Sequence, residues 1–195
     1  MALVCMMMVS CKPNDGDGRI QGYEYVDLGL SVKWATCNVG ATSPEDYGHY
    51  FAWGETSPKD EYTDDNCSTY GKLMSEISGD AQYDAATANW GGDWRMPTYD
   101  ELNELRTNCT WTWTTRNGVK GNNVEGPSGA SIFLPAAGDR RGSSLYYAGS
   151  GGDYWSFTPF EIYGSHAFSL HFGSDYHDVY GILRYYGQSV RSILE

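Results

Sequence analysis

Trp94-Arg95-Met96-Pro97-Thr98-Tyr99-Asp100-Glu101-Leu102-Asn103-Glu104-Leu105 is the stretch whose reading decides the fold. Thr98 stands three residues before Glu101. That is the spacing of a capping box, in which the hydroxyl and the carboxylate each satisfy an amide that a helix start leaves open. Pro97 precedes the cap, and Leu102 and Leu105 follow at i, i+3 on one face. This is the one clear helix in the chain. A shorter one is expected after Asp84, through Ala85, Ala86 and Ala88.

Outward from there, the rest reads as strand and turn. Upstream, Tyr23 to Leu28 and Ser31 to Cys37 are β-prone runs around Gly29-Leu30, a hairpin pattern. Tyr50-Phe51-Ala52-Trp53 is a short buried strand or turn. Glu55 to Gly79 is a polar surface loop with a short helix expected near Leu73 to Ile77. Downstream, Trp111 and Trp113 alternate with threonines before Asn117-Gly118, a strong hairpin turn signal. Ile132-Phe133-Leu134, Tyr154 to Phe157, Ala167 to Phe172, Val179 to Tyr185 and Ser189 to Leu194 complete the expected strands. Trp34, Trp53 and Trp155 are expected to fill the core.

The 195 residues include 13 Lys and Arg against 25 Asp and Glu, a net charge of −12. A nucleic-acid-binding chain would show a basic face, so that partner class is excluded. Docking on anionic lipid through a polybasic patch is excluded for the same reason. The acidic balance comes with 16 Tyr, 7 Trp and 6 Phe, too much apolar area for a disordered chain. Twenty-four glycines among Ser, Thr and Asn mark many turns, as in a β-dominated domain.

Residues 1–11 carry no charge and read as the end of a secretory signal, too short to span a bilayer. Met8-Val9-Ser10-Cys11 resembles a bacterial lipobox, with Cys11 as the lipidated residue. It departs in having Met at −3 and no basic region upstream. The other reading is a frayed strand with an incidental cysteine. Residues 12–22 then form a flexible tether and 23–195 the folded domain. Asp15-Gly16-Asp17-Gly18 is not a calcium loop, because the twelfth position, where a Glu is needed, is Val26. Cys37, Cys67 and Cys109 remain in the mature chain, so at most one internal disulfide forms, and sequence does not select the pair.

Several ordered segments carry a family resemblance: Val26 to Gly40, Tyr50-Phe51-Ala52-Trp53-Gly54-Glu55-Thr56, Trp94 to Thr98 with Glu101-Leu102, Ile132 to Gly138, Tyr154-Trp155-Ser156, and Gly187 to Arg191. Together they resemble the Fibrobacter succinogenes major paralogous domain family, common in secreted lipoproteins of Bacteroidetes, over residues 23–195. The resemblance implies an α+β fold of the C-type-lectin-like class in its formylglycine-generating-enzyme-like variant. Such a fold has one or two short helices on twisted antiparallel strands, with the termini close together. It also implies a bacterial envelope protein, lipid-anchored in the outer membrane at the cell surface. Arg95 and Arg191 are expected to be structural.

Catalysis is not expected. The related sulfatase-activating enzymes use paired cysteines late in the fold, and this chain has no cysteine after Cys109. The calcium tripeptides of sugar-binding C-type lectins are absent, and no nucleophile motif occurs. His166, His171 and His177, with Asp175 and Asp178, do not follow an established metal spacing, so neither metal nor cofactor is expected.

Ser156 to Gly187 is the informative segment. It is crowded with Phe, Tyr, His, Ser, Gly, Asp and Ile, lacks Lys, Gln, Trp and Met, and has one Glu, Glu161. Adenine-specific mutagenesis of Asn codons yields that set, so the segment resembles the variable proteins of diversity-generating retroelements. Ala167, Leu170, Phe172, Val179 and Arg184 read as framework. Phe160, Ile162, Tyr163, Ser165, His166, Phe168, His171, Asp175, Tyr176, Asp178, Tyr180, Ile182, Tyr185 and Tyr186 read as an exposed, ligand-binding set with the composition of a paratope. The expected function is binding of a protein or glycan ligand at that face. The alternatives are a structural or adhesin component of a surface assembly, and an enzyme of the formylglycine-generating type.

Overall fold

The capping box forms as the sequence demands. In the computed structural model, which describes residues 19–160 and 164–195, the Thr98 hydroxyl accepts from the Glu101 amide at 2.9 Å. The Glu101 carboxylate accepts from the Thr98 amide at 2.7 Å. In chain order the elements are β1 (Arg19–Ile20), β2 (Tyr23–Val26), β3 (Lys33–Asn38), α1 (Ala85–Trp90), α2 (Tyr99–Asn108), β4 (Thr110–Arg116), β5 (Val119–Glu125), β6 (Ser131–Pro135), β7 (Asp139–Arg141), β8 (Ser144–Tyr146), β9 (Gly152–Pro159), β10 (His166–Phe172), β11 (His177–Leu183) and β12 (Arg191–Leu194). The fold is α+β, mostly antiparallel strand with two short helices.

Four sheets share the interior: β1-β2-β3-β12, β4-β5-β6, β11-β10-β9 and the β7-β8 hairpin. Leu194 of the last strand pairs with Lys33, so both ends of the described domain meet in one sheet. Arg19–Ile20, placed by sequence inside the tether, pairs with Glu24 and Tyr23 instead. The Ile20 carbonyl also accepts from Trp94 Nε1 at 2.9 Å. Among the described residues no helix is long and apolar enough to cross a membrane.

Trp34, Trp53, Trp94 and Trp155 are fully buried. Where their indoles donate, they meet carbonyls: Trp53 to Ser156 at 2.9 Å and Trp155 to Phe51 at 2.8 Å. Arg95 and Arg191 are structural, as expected. Arg95 makes a bidentate pair with Glu101 at 2.7 and 2.8 Å, so the helix cap is tied to the strand side of the domain. Arg191 is buried and donates to Asn38 Oδ1 and to the carbonyls of Ala35, Thr36 and Phe133, stapling β3 and β6 to β12. Such buried donors must be satisfied, because an unmet one costs about 1–3 kcal/mol.

The short helix expected near Leu73 to Ile77 does not form. The Lys72 carbonyl, which would accept from the turn ahead, is taken by Arg184 Nη1 at 2.8 Å, and the Gly71 amide donates to the Gly164 carbonyl. The hairpin β7-β8 was not expected from sequence. Its loop is the two residues Gly142-Ser143, with φ +55 at Gly142. A Cβ on Gly138 would sit 1.9 Å from the Tyr146 carbonyl, so only glycine lets β8 settle back against the domain.

Candidate functional site

Strand β10 is central in its sheet, and its side chains alternate between two faces. Leu170 and Phe172 point into the core beneath α2 and β4, as the sequence predicts. His171 points to the opposite side but not into solvent: it is 8% exposed. Alternation sets the side a residue takes, not whether that side is wet. Here the second face is also covered. Asp153 on β9 binds His171 Nδ1, and Tyr180 on β11 stacks on the imidazole at 4.0 Å. His171 therefore belongs to the support of the site and not to its exposed surface.

The expected exposed set does not form one face. Phe168 lies on the α2 side of the sheet, against Tyr99 at 4.4 Å and Phe160 at 5.1 Å. His166 flanks Phe160, and its Nδ1 meets the Ser165 hydroxyl at 2.8 Å. Ile182 packs on the core cluster that holds Trp155. Tyr185 is half-buried edge-on against Tyr70 at 5.2 Å. Ile162 and Tyr163 lie outside the described residues, as does Cys11. The framework residues Ala167, Leu170, Phe172 and Arg184 are buried and Val179 is half-buried. Arg184 stands over Trp53 at 4.2 Å and donates to the carbonyls of His166, Thr69 and Lys72; burial holds its pKa down to about 10.

What remains outside gathers at one end. Tyr176 is 56% and Tyr180 45% exposed, with Asp175 and Asp178 exposed beside them. The β7-β8 hairpin adds two tyrosines that the sequence reading passed over, Tyr146 at 44% and Tyr147 at 59% exposed. At the centre is Arg141, also passed over. Its guanidinium lies 5.3, 5.5 and 4.6 Å from the ring centres of Tyr146, Tyr147 and Tyr186. Buried Asp139 grips the same guanidinium through Nε at 2.6 Å and Nη2 at 3.2 Å. The Gly142-Ser143 dipeptide between Arg140-Arg141 and Ser144-Leu145-Tyr146 is a two-residue hairpin signal, and it would have disclosed this part of the site.

Two observations join the halves of this surface. A methyl group placed on Gly151 would lie 3.8 Å from Tyr176 Oη and 3.9 Å from Tyr147 Cβ. The Tyr180 hydroxyl, in turn, feels Asp153, Tyr176, Asp178 and Arg141. Burial first and neighbouring carboxylates second push the hydroxyls of Tyr176 and Tyr180 above the ordinary tyrosine value, so both stay neutral donors near pH 7. The Asp139 bond raises Arg141, which therefore stays charged. Tyr147 itself holds a left-handed φ of +58, a strained conformation for a bulky residue. Its carbonyl accepts from the amides of Ser150 and Gly151, both at 2.9 Å, which fixes the strained turn.

No family model matches the chain, and no curated protein or solved structure matches it either. The chemistry of the site therefore rests on its own groups. His171 is oriented by Asp153, but its buried Nε2 meets no hydroxyl or thiol among the described residues. No disulfide joins Cys37, Cys67 and Cys109 to one another, and Cys67 and Cys109 are free thiols among the described residues. Burial pushes the Cys109 thiol up to about 11, away from the reactive thiolate. Among the described residues no group of three or more His, Cys, Asp and Glu is placed to hold a metal ion. A separate open cleft of about 530 Å³ is lined by residues that include Glu55, Lys59, Ser68, Lys72 and Tyr83. Its Lys59 is already bound by Glu55 and Asn66. The tyrosine end offers ring faces, neutral hydroxyl donors and a guanidinium on a rigid base, which are means of binding.

Proposed function

We propose that this chain is a non-catalytic binding module that presents the tyrosine end around Arg141 to a protein or glycan ligand. One observation carries the reading. The exposed large apolar side chains among the described residues are Leu73, Leu145, Tyr146, Tyr147, Tyr176 and Tyr180, and all but Leu73 lie on or beside the β7-β8 and β10-β11 hairpins. A contiguous aromatic patch with polar tips is how binding surfaces expose apolar area. Tyrosine adds contact area at low entropic cost.

The module belongs, in this reading, to the Fibrobacter succinogenes major paralogous domain family with its C-type-lectin-like fold. Support comes from the antiparallel α+β architecture, the pairing of both ends in one sheet, and the structural roles of Trp34, Arg95, Trp155 and Arg191 in the motifs that carry the resemblance. Cys11 bears the lipid that holds it on the outer membrane. A diacylglyceryl anchor adds two chains, each buried CH₂ contributing about 0.8 kcal/mol. The residue usage of Ser156 to Gly187 is that of retroelement-directed diversification. A near-copy template repeat and a reverse transcriptase gene beside this one are its expected genomic signature.

The test is a screen of the purified chain against a glycan array and a panel of surface proteins, repeated with Tyr147→Ser and Tyr176→Ser. The expected result is a ligand lost in both variants. A ligand bound equally well by both variants would place the binding site elsewhere. A chain that captures nothing, but assembles with a structural partner through Tyr185 and Phe168, would favour the assembly-component reading.

A further inference from the structure

We propose that the Tyr176–Tyr180 half of this surface receives the guanidinium or ammonium group of a basic polypeptide segment. The inference rests on the binding-face reading above and names the chemistry of the partner. The other half of the same surface shows the arrangement already filled: Arg141 sits among Tyr146, Tyr147 and Tyr186, with Asp139 behind it. Tyr176 and the outer face of Tyr180, whose inner face lies on the His171 imidazole, repeat the elements without an arginine or lysine. Among the described residues, cation–ring contacts are made with Tyr25, Tyr62, Phe157, Phe133, Tyr50, Trp53 and the Arg141 group, but with neither of these two rings.

Their flanking carboxylates are also under-compensated. Asp178 has Arg106 at 3.9 Å, a loose exposed pair, and the Val179 amide at 2.8 Å, both on Oδ1, and Asp175 has the Ser174 hydroxyl at 3.4 Å. Each ring thus offers its negative face beside an acid with spare capacity, the combination that attracts a cation. The net charge of −12 adds a long-range field that steers basic partners in and turns anionic ones away. A neutral glycan would use the rings and donate hydroxyls to the carboxylates but leave their charge uncompensated.

The full chain is titrated by calorimetry at physiological salt with a short peptide alternating glycine and arginine. The comparison peptide carries citrulline, which keeps the shape and loses the charge. The arginine peptide is expected to bind about tenfold more tightly than the citrulline peptide. Tyr176→Ala and the double variant Asp175→Asn/Asp178→Asn should each weaken it about tenfold. Asp93→Asn/Glu125→Gln, with the same change of net charge at exposed positions elsewhere, should change it by less than about twofold. Unfolding midpoints of all variants verify that they are folded. Equal weakening by both aspartate pairs would show that only net charge acts and would overturn the inference, as would a Tyr176→Ala chain that binds unchanged. A non-basic ligand captured through Tyr146 and Tyr147, with the arginine peptide silent, would overturn this inference and leave the binding face standing. Capture indifferent to every tyrosine of the surface would remove both.

Discussion

Arg95 and Arg141 are the same chemical device in two settings. Each is an arginine gripped at two points by a nearby carboxylate, Glu101 or Asp139, with aromatic rings over the guanidinium. Around Arg95 the ring is buried Phe157, the carboxylate is half of a helix cap, and the Arg95 backbone pairs with Ile193 of β12. Everything there holds the fold. Around Arg141 the rings are Tyr146, Tyr147 and Tyr186, and their outer faces meet water. What separates a structural arginine from a surface one here is not the ion pair but whether another layer closes over its aromatic shell.

If that contrast is right, the base of the tyrosine end must be costly to disturb and its top must not. Truncating Phe172, the fully buried last residue of β10, to Ala should cost about 3–5 kcal/mol, measured by denaturant unfolding. A loss below about 1 kcal/mol would mean the sheet is not packed as described. Next comes the Arg95 side of the comparison. Glu101→Ala should cost about 2 kcal/mol, because it removes charge-assisted bonds to Arg95 and the Thr98 amide.

The same carboxylate gives the comparison a pH signature. Burial alone would raise Glu101, but the bonds from Arg95 and Thr98 outweigh it and hold the folded-state value below the ordinary 4.5. An acid depressed in the folded state contributes stability that is present above 4.5 and is lost as pH falls through the lower folded value. Wild-type stability should therefore fall below pH 4.5, and Glu101→Gln should fall less steeply over that window. Parallel acid limbs for the two proteins would show that the pair is not coupled to folding. Smaller still, Thr98→Ala should cost about 1 kcal/mol as the cap loses its acceptor. At the bottom of the scale, Tyr176→Ser should change stability by no more than about 0.5 kcal/mol.

The two arginines also mark what the sequence discloses. Thr98, Glu101, Leu102 and Arg95 lie within eight residues, and each satisfies a neighbour, so the helix, its cap and its arginine are readable from spacing alone. Asn117-Gly118 is equally local, and both residues take positive φ in the turn as expected. The tyrosine end is assembled from Arg141, Tyr147, Tyr176 and Tyr186, which meet only because β7-β8 and β10-β11 dock across the domain. Residue usage pointed to the C-terminal half of that surface. It could not reveal the hairpin that completes it, nor that Asp153 and Tyr180 would close over His171. Residue usage put Phe168 and Tyr180 in one set, but their register, Phe168 opposite Gly181 and Ser169 opposite Tyr180, puts them on different faces.

The most direct test combines both sides of the contrast in one protein. In Tyr146→Ser/Tyr147→Ser/Tyr176→Ser, equilibrium unfolding and capture of the ligand found in the screen are measured on the same sample. The account predicts unfolding within about 1.5 kcal/mol of wild type, the sum of three exposed substitutions, with capture abolished. A loss of several kcal/mol would make these tyrosines part of the core, and undiminished capture by a stable triple variant would contradict the binding face outright.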